Sequence, residues 1–211
     1  MRIVAVLLLA LLALIVGCSD DPTSPPPGET QSFLPLTTRN AVLNNLELGW
    51  TQRKADKIDE LLDDNFIFFF NEGDVGGEIP ESWSRFEDLA ATTALLESNT
   101  NPPSGVPVCR EVRVDLVFDD DLEWTEVPVP ATAVGEVWYT ATVPYLFQFE
   151  MEGDLTFVQN DAKAQFTVRQ DEAAWRLVEW RDLGESIRAA GDVSVASTEA
   201  NTWGGVKALY R

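Results

Sequence analysis

The chemistry open to this chain is limited first by a residue type it lacks: its 211 residues contain no histidine. Ser-His-Asp and Cys-His nucleophile systems are thereby excluded, as are zinc sites built on imidazole. The side chain best suited to general base work near neutral pH is missing as well. Catalysis would have to run on carboxylates, tyrosine, lysine or Cys109 with shifted pKa values. Cys109 precedes Arg110, a neighbour that favours thiolate. It also opens an alternating strand, and a packed, inert thiol is the expectation there. Asp119, Asp121 and Glu123 begin with the spacing of a calcium loop, but Trp124 stands where that loop needs glycine and Pro130 where it needs glutamate. The run is read as a solvated turn. Gly73, Gly76 and Gly77 match no phosphate-cradling motif and read as a loop. No metal and no cofactor is expected.

Cys18 carries the clearest chemistry. Met1-Arg2, the apolar run Ile3 to Val16 and then Gly17-Cys18 have the layout of a secretory signal. The run is short of the roughly 20 apolar residues a bilayer span needs. Ile15-Val16-Gly17-Cys18 resembles the lipobox of bacterial lipoproteins, which implies cleavage after residue 17 and a lipid on Cys18. Residues 18–31, with Pro25-Pro26-Pro27, then form a semi-rigid tether. The expected location is the bacterial envelope, anchored by lipid. Ser19 after the lipidated cysteine favours the outer membrane, facing the periplasm, in a Gram-negative host.

Residues 32–211 make one domain's worth of chain, able to bury roughly 70% of its unfolded surface. With Cys18 lipidated, Cys109 has no disulfide partner. The net charge of −20 repels phosphate backbones and makes nucleic acid a poor partner. All seven tryptophans fall within residues 32–211, which argues for a packed core.

The elements that must position any site are legible in outline. Thr37 or Thr38 can cap a helix bearing Leu43, Leu46 and Trp50 at helical spacing, followed by a short helix through Ile58, Leu61 and Leu62. Phe66-Ile67-Phe68-Phe69-Phe70 reads as a strand buried on both faces. A third helix begins with a capping box, Ser84 and Glu87, and a buried stripe of Trp83, Phe86, Ala90 and Thr93 or Ala94. From Val108 the period becomes two. Val112, Val114, Leu116 and Phe118 alternate, and Val134 to Met151 reads as a long strand that Pro144 marks as edge, bulge or break. Leu155–Gln159 and Lys163–Gln170 read as a hairpin turning at Asn160-Asp161, and Ala174 to Leu183 as the last strand. Ala164, Phe166 and Val168 share one face. No internal repeat is visible.

Helices first and antiparallel strands after imply an α+β fold with helices on one face of a curved sheet. Two helices ending in Lys57 to Phe66, an apolar strand, a Trp-led helix and strands closing on Trp175 to Asp182 resemble the NTF2-like superfamily, which includes SnoaL-like and ketosteroid-isomerase-like proteins. The resemblance spans about Thr37 to Leu183. It implies a cone with an apolar pocket, whose candidate ligand-contacting residues are Trp50, Phe68, Trp83, Trp138, Tyr145 and Phe147. Ketosteroid isomerases set a carboxylate base beside a tyrosine and a protonated acid. Tyr139, Glu136, Glu179 and Asp182 are the catalytic candidates on that pattern, with Tyr145 and Asp74 nearby in the implied topology. None matches a family motif residue by residue, and Glu179 with Arg181, or Arg176 with Glu179, can simply pair on the sheet surface.

The expected function is therefore a membrane-anchored envelope lipoprotein whose non-catalytic domain binds a small apolar ligand or a protein partner. A hydrolase or isomerase using pocket carboxylate and tyrosine is the first alternative. A structural lipoprotein that forms a homodimer through its sheet is the second. The tail from about residue 184, with Trp203 to Tyr210, falls outside the family pattern and is expected to dock as a lid or extra element.

Overall fold

The computed structural model describes residues 31–77, 79–100, 104–130, 133, 135–153, 155–172, 174–184 and 203–211. Residues 1–30, on which the expected signal segment, Cys18 and all but the last residue of the expected tether fall, and residues 185–202 lie outside them. Residues 33–211 form one compact unit. Its elements are α1 (Arg39–Thr51), α2 (Ala55–Leu61), β1 (Leu62–Phe69), β2 (Ser82–Ser84), α3 (Arg85–Leu96), β3 (Cys109–Leu116), β4 (Thr125–Val127), β5 (Trp138–Met151), β6 (Leu155–Asp171), β7 (Ala174–Asp182) and α4 (Trp203–Ala208).

The strands form one curled sheet in the order β2-β1-β7-β6-β5-β3, with β4 also on β5. All pairings are antiparallel except β1 with β7, which run parallel. The sheet is thus mixed, where a purely antiparallel one was expected. Length explains the curl. The β5–β6 ladder runs from Trp138↔Arg169 to Met151↔Leu155, and a twisted pair that long wraps rather than lying flat.

That ladder also corrects the expected hairpin at Asn160-Asp161. β6 passes straight through those residues. Tyr145 pairs with Ala162 and Phe147 with Gln159, so three steps along β6 match two along β5. A turn-forming dipeptide here supplies the extra residue of a β-bulge. Pro144 lies inside β5, opposite Lys163. Its carbonyl accepts from the Val117 N–H at 2.9 Å, the return bond is one proline cannot make, and the β3 ladder ends at Leu116↔Tyr145.

Helix α1 starts where Thr38 accepts a hydrogen bond from the Ala41 N–H, and Leu43, Leu46 and Trp50 are buried as their spacing implies. A Cβ on Gly49 would meet Ile58 at 2.8 Å, so the glycine lets α1 and α2 approach closely. β1 is not covered on both faces. Phe66, Phe68 and Phe70 point into the core, whereas Ile67 is 38% exposed and Phe69 is covered by the Arg181 guanidinium at 3.6 Å. The capping box of Ser84 and Glu87 forms as expected. The stripe of α3 does not. Trp83 is buried but belongs to β2, Phe86 is 82% exposed, and the buried face is Asp88, Ala91, Thr92, Leu95 and Leu96. The whole face is rotated because an aspartate points inward.

Candidate functional site

The concave interior is built from the inward half of each alternating strand. β5 supplies Tyr145, Phe147 and Phe149, β6 supplies Phe166, β7 supplies Trp180 and Asp182, and β1 supplies Phe68, all buried. Trp50 from α1 and Asp88 from α3 face the same space. What occupies the middle is α4. Trp203 stacks on Phe147 (4.6 Å between centroids, 6° between planes) and Phe149 (5.2 Å, 5°), and meets Trp50 edge-on at 4.7 Å. Its backbone N–H donates to the Gln159 side chain, and the Tyr210 hydroxyl donates to the Pro107 carbonyl at 2.5 Å. Gly204 is required by this fit, since a Cβ there would lie 2.7 Å from Phe70 and 2.8 Å from Asp74.

One helical turn beyond Trp203, Lys207 carries its ammonium into the same interior. The residue is 0% exposed. Its Nζ is paired with the Asp88 carboxylate. Around it lie the rings of Phe68 at 4.2 Å, Trp203 at 5.1 Å, Trp180 at 5.3 Å and Trp50 at 5.9 Å from their centroids. Burial pushes the Asp88 carboxyl up and the Lys207 amine down, each against the attraction of the other. An ammonium among ring faces gains cation–π energy of roughly 2 kcal/mol when desolvated.

A second buried polar group is Tyr145 with Asp182. The Tyr145 hydroxyl donates to Asp182 Oδ1 at 2.9 Å, and the Gly184 N–H donates to the same oxygen at 3.0 Å. Asp182 Oδ2 is buried without a hydrogen-bond partner. Burial raises the Asp182 carboxyl, as does the charge of Asp74, against the Gly184 and Tyr145 donors and Lys207. Burial first, and then Asp182, hold the Tyr145 hydroxyl firmly protonated.

The four catalytic candidates do not converge. Asp182 is interior. Glu179 pairs with Arg181. Glu136 accepts from Trp138 Nε1 at 2.7 Å and pairs with Arg169 at 3.1 Å, while Arg169 also holds buried Asp63 at 2.5 Å. Tyr139 lies under the Arg39 guanidinium at 4.2 Å and meets Trp175 edge-on. Of the ligand-contact candidates, Trp50, Phe68, Trp83, Tyr145 and Phe147 are buried in the core, and half-buried Trp138 is tied to Glu136 instead. Cys109 is buried, and burial pushes its thiol up despite the Arg53 guanidinium nearby, which disfavours a reactive thiolate.

Asp88 and the charge carried by Lys207 were missed by reading the sequence, which expected the tail from Trp203 to Tyr210 only to dock as a lid or extra element. A signal existed in the tail: one lysine between apolar residues, in a segment with Trp203 and Tyr210 and a Gly-Gly pair. Among the described residues, no three acidic or cysteine side chains converge to hold a metal ion, and no helix is long and apolar enough to cross a membrane.

No family model and no curated protein matches the chain. Solved structures do. The chain is similar to an NTF2-like protein from Cytophaga hutchinsonii ATCC 33406, at 13% identity over 68% of this chain and 93% of that one, with a TM-score of 0.39. It is similar to an NTF2-like superfamily protein from Salmonella enterica serovar Typhimurium LT2, at 10% identity over 72% and 92%, with a TM-score of 0.44. A third is a hypothetical protein with a ketosteroid isomerase-like fold from Catenulispora acidiphila DSM 44928, solved with trimethylamine, at 10% identity over 69% and 85%, with a TM-score of 0.39. At these identities and TM-scores the likeness says nothing of activity.

Proposed function

We propose that this chain is an envelope lipoprotein, anchored through Cys18, whose cone-shaped domain is a non-catalytic binding module held closed by its own C-terminal helix. The filled interior, in which Trp203 stacks on the β5 rings and Lys207 pairs with Asp88, counts against a standing open pocket, so the reading rests on α4, six residues with two adjacent glycines, giving way to a ligand. Catalysis needs a substrate beside the reacting groups. Here the interior acid–phenol pair, Tyr145 with Asp182, is 2–3% exposed, and the phenol donates to the carboxyl itself. Either activity needs α4 to give way, and binding needs no free reacting group besides.

Two measurements test this reading. Metabolic labelling with a palmitate analogue in a bacterial host should mark the wild-type chain and not Cys18→Ser; equal labelling of both would overturn the anchor. Native mass spectrometry of the chain extracted from envelopes should show a copurifying small molecule or partner. The rival reading, an isomerase or hydrolase, is favoured by the raised Asp182 carboxyl beside a phenol. Solvent deuterium exchange next to the carbonyl of apolar ketones, present in wild type and lost in Asp182→Asn, would replace the binding reading with that one.

A further inference from the structure

Resting on the binding reading, we propose that Asp88 and the rings of Phe68, Trp50 and Trp180 form a recognition site for an organic ammonium group, which Lys207 occupies in cis and a ligand ammonium takes over when α4 is released.

The elements of ammonium recognition are present together: a carboxylate for the charge and ring faces for the surrounding hydrocarbon. The occupant is an alkylammonium on a four-carbon stem, entirely enclosed. It fixes the chemistry of what can replace it. A neutral ligand displacing α4 would leave Asp88 without its cation, at the cost of protonating the carboxyl or exposing it to water. A cation restores the pair. Asp182, with an unpartnered carboxyl oxygen, lies within electrostatic reach of the same ammonium. The net charge of −20 draws cations towards the domain from a distance. The small apolar ligand expected from the aromatic residues therefore becomes an apolar cation.

The occupant is also built to be exchangeable. α4 has six residues, of which two are adjacent glycines, Gly204 and Gly205. Helices well under about 12 residues are not stable alone in water, and interior glycines weaken them further. α4 is therefore helical only while Trp203, Lys207 and Tyr210 are docked, and loss of these contacts melts it. Replacement of the Lys207 ammonium and release of the helix become one event.

The test uses the full chain and two probes. Hydrogen exchange followed by mass spectrometry on residues 203–211 should quicken at least threefold in tetramethylammonium chloride relative to equimolar sodium chloride, with neopentyl alcohol, the uncharged analogue, giving no such change. In Lys207→Ala, n-propylammonium restores the missing ammonium and should raise the urea midpoint, an effect lost in the Asp88→Asn, Lys207→Ala double variant. If neopentyl alcohol releases α4 as effectively as the cation, the ammonium inference falls and the binding reading stands. If no probe alters exchange at 203–211, α4 is a permanent part of the core and both fall. Should Lys207→Ala not fold, the wild-type exchange experiment decides alone.

Discussion

Trp203→Ala is the most demanding test of how α4 is held. Trp203 is 1% exposed and ringed by Phe147, Phe149, Trp180 and Trp50. A large aromatic side chain buries about 150–250 Å². At about 25 cal/mol per Å² that is about 4–6 kcal/mol, an upper figure because unfolded chains also bury surface. Trp-to-Ala changes in cores cost about 3–5 kcal/mol, so about 4 kcal/mol is expected. If α4 leaves as a unit, the loss is capped by the free energy of docking α4. Urea unfolding followed by fluorescence and near-ultraviolet circular dichroism gives the number. A loss below about 1 kcal/mol, with residues 203–211 strongly protected from hydrogen exchange in the wild type, would refute the packing argument. A double-mutant cycle adds a sharper criterion. If α4 docks as a unit, Trp203→Ala with Lys207→Met should cost at least about 1 kcal/mol less than the two single changes summed. Full additivity would show that the tryptophan and the lysine are held independently.

Asp182→Asn tests the interior carboxyl by pH. Its folded pKa is raised, chiefly by burial, so its contribution is full below the unfolded carboxyl value of about 3.9 and is lost as pH rises through the folded value. Asparagine keeps an acceptor for Tyr145 and Gly184 and cannot ionise, so the variant should match wild type near pH 3 and gain in relative melting temperature towards pH 8. An advantage that grows on acidification would contradict the assignment. Phe86→Ser removes a ring that is 82% exposed and should change stability by less than about 0.5 kcal/mol in urea unfolding. A loss above about 1 kcal/mol would mean that Phe86 is covered, as the sequence reading had placed it.

The fold was legible where a residue's role is decided by its neighbours in the chain. Thr38 as a cap, the α1 stripe, the Ser84–Glu87 box and the alternation of Val112, Val114 and Leu116 are all local, and all form. The interior was not legible because its decisive contact spans 119 residues. The expected stripe of α3 took its phase from Trp83 and Phe86, and an aspartate in the first turn gives no local sign of facing inward. Lys207 supplies the charge that brings Asp88 inside, and nothing near residue 88 announces it. The same applies to β1. Its parallel partner lies more than 100 positions away, and hydrophobic alternation carries no direction. At Asn160-Asp161 the turn-forming composition was read as a hairpin, but pairing along the whole length of β5 carries β6 straight through and leaves only a bulge.

The parallel pairing of β1 with β7 has a consequence for the order in which the chain can fold. β7 sits between β1 and β6, so the strand nearest the beginning joins the sheet only through the strand nearest its end. Contacts of such long sequence separation form late and slowly. Until residues 174–182 have emerged, β1 and β2 have no edge to join, and until α4 follows, the aromatic interior stays wet. A chain that emerges residue by residue would thus stay unfinished, and shut only after residues 203–211 had arrived.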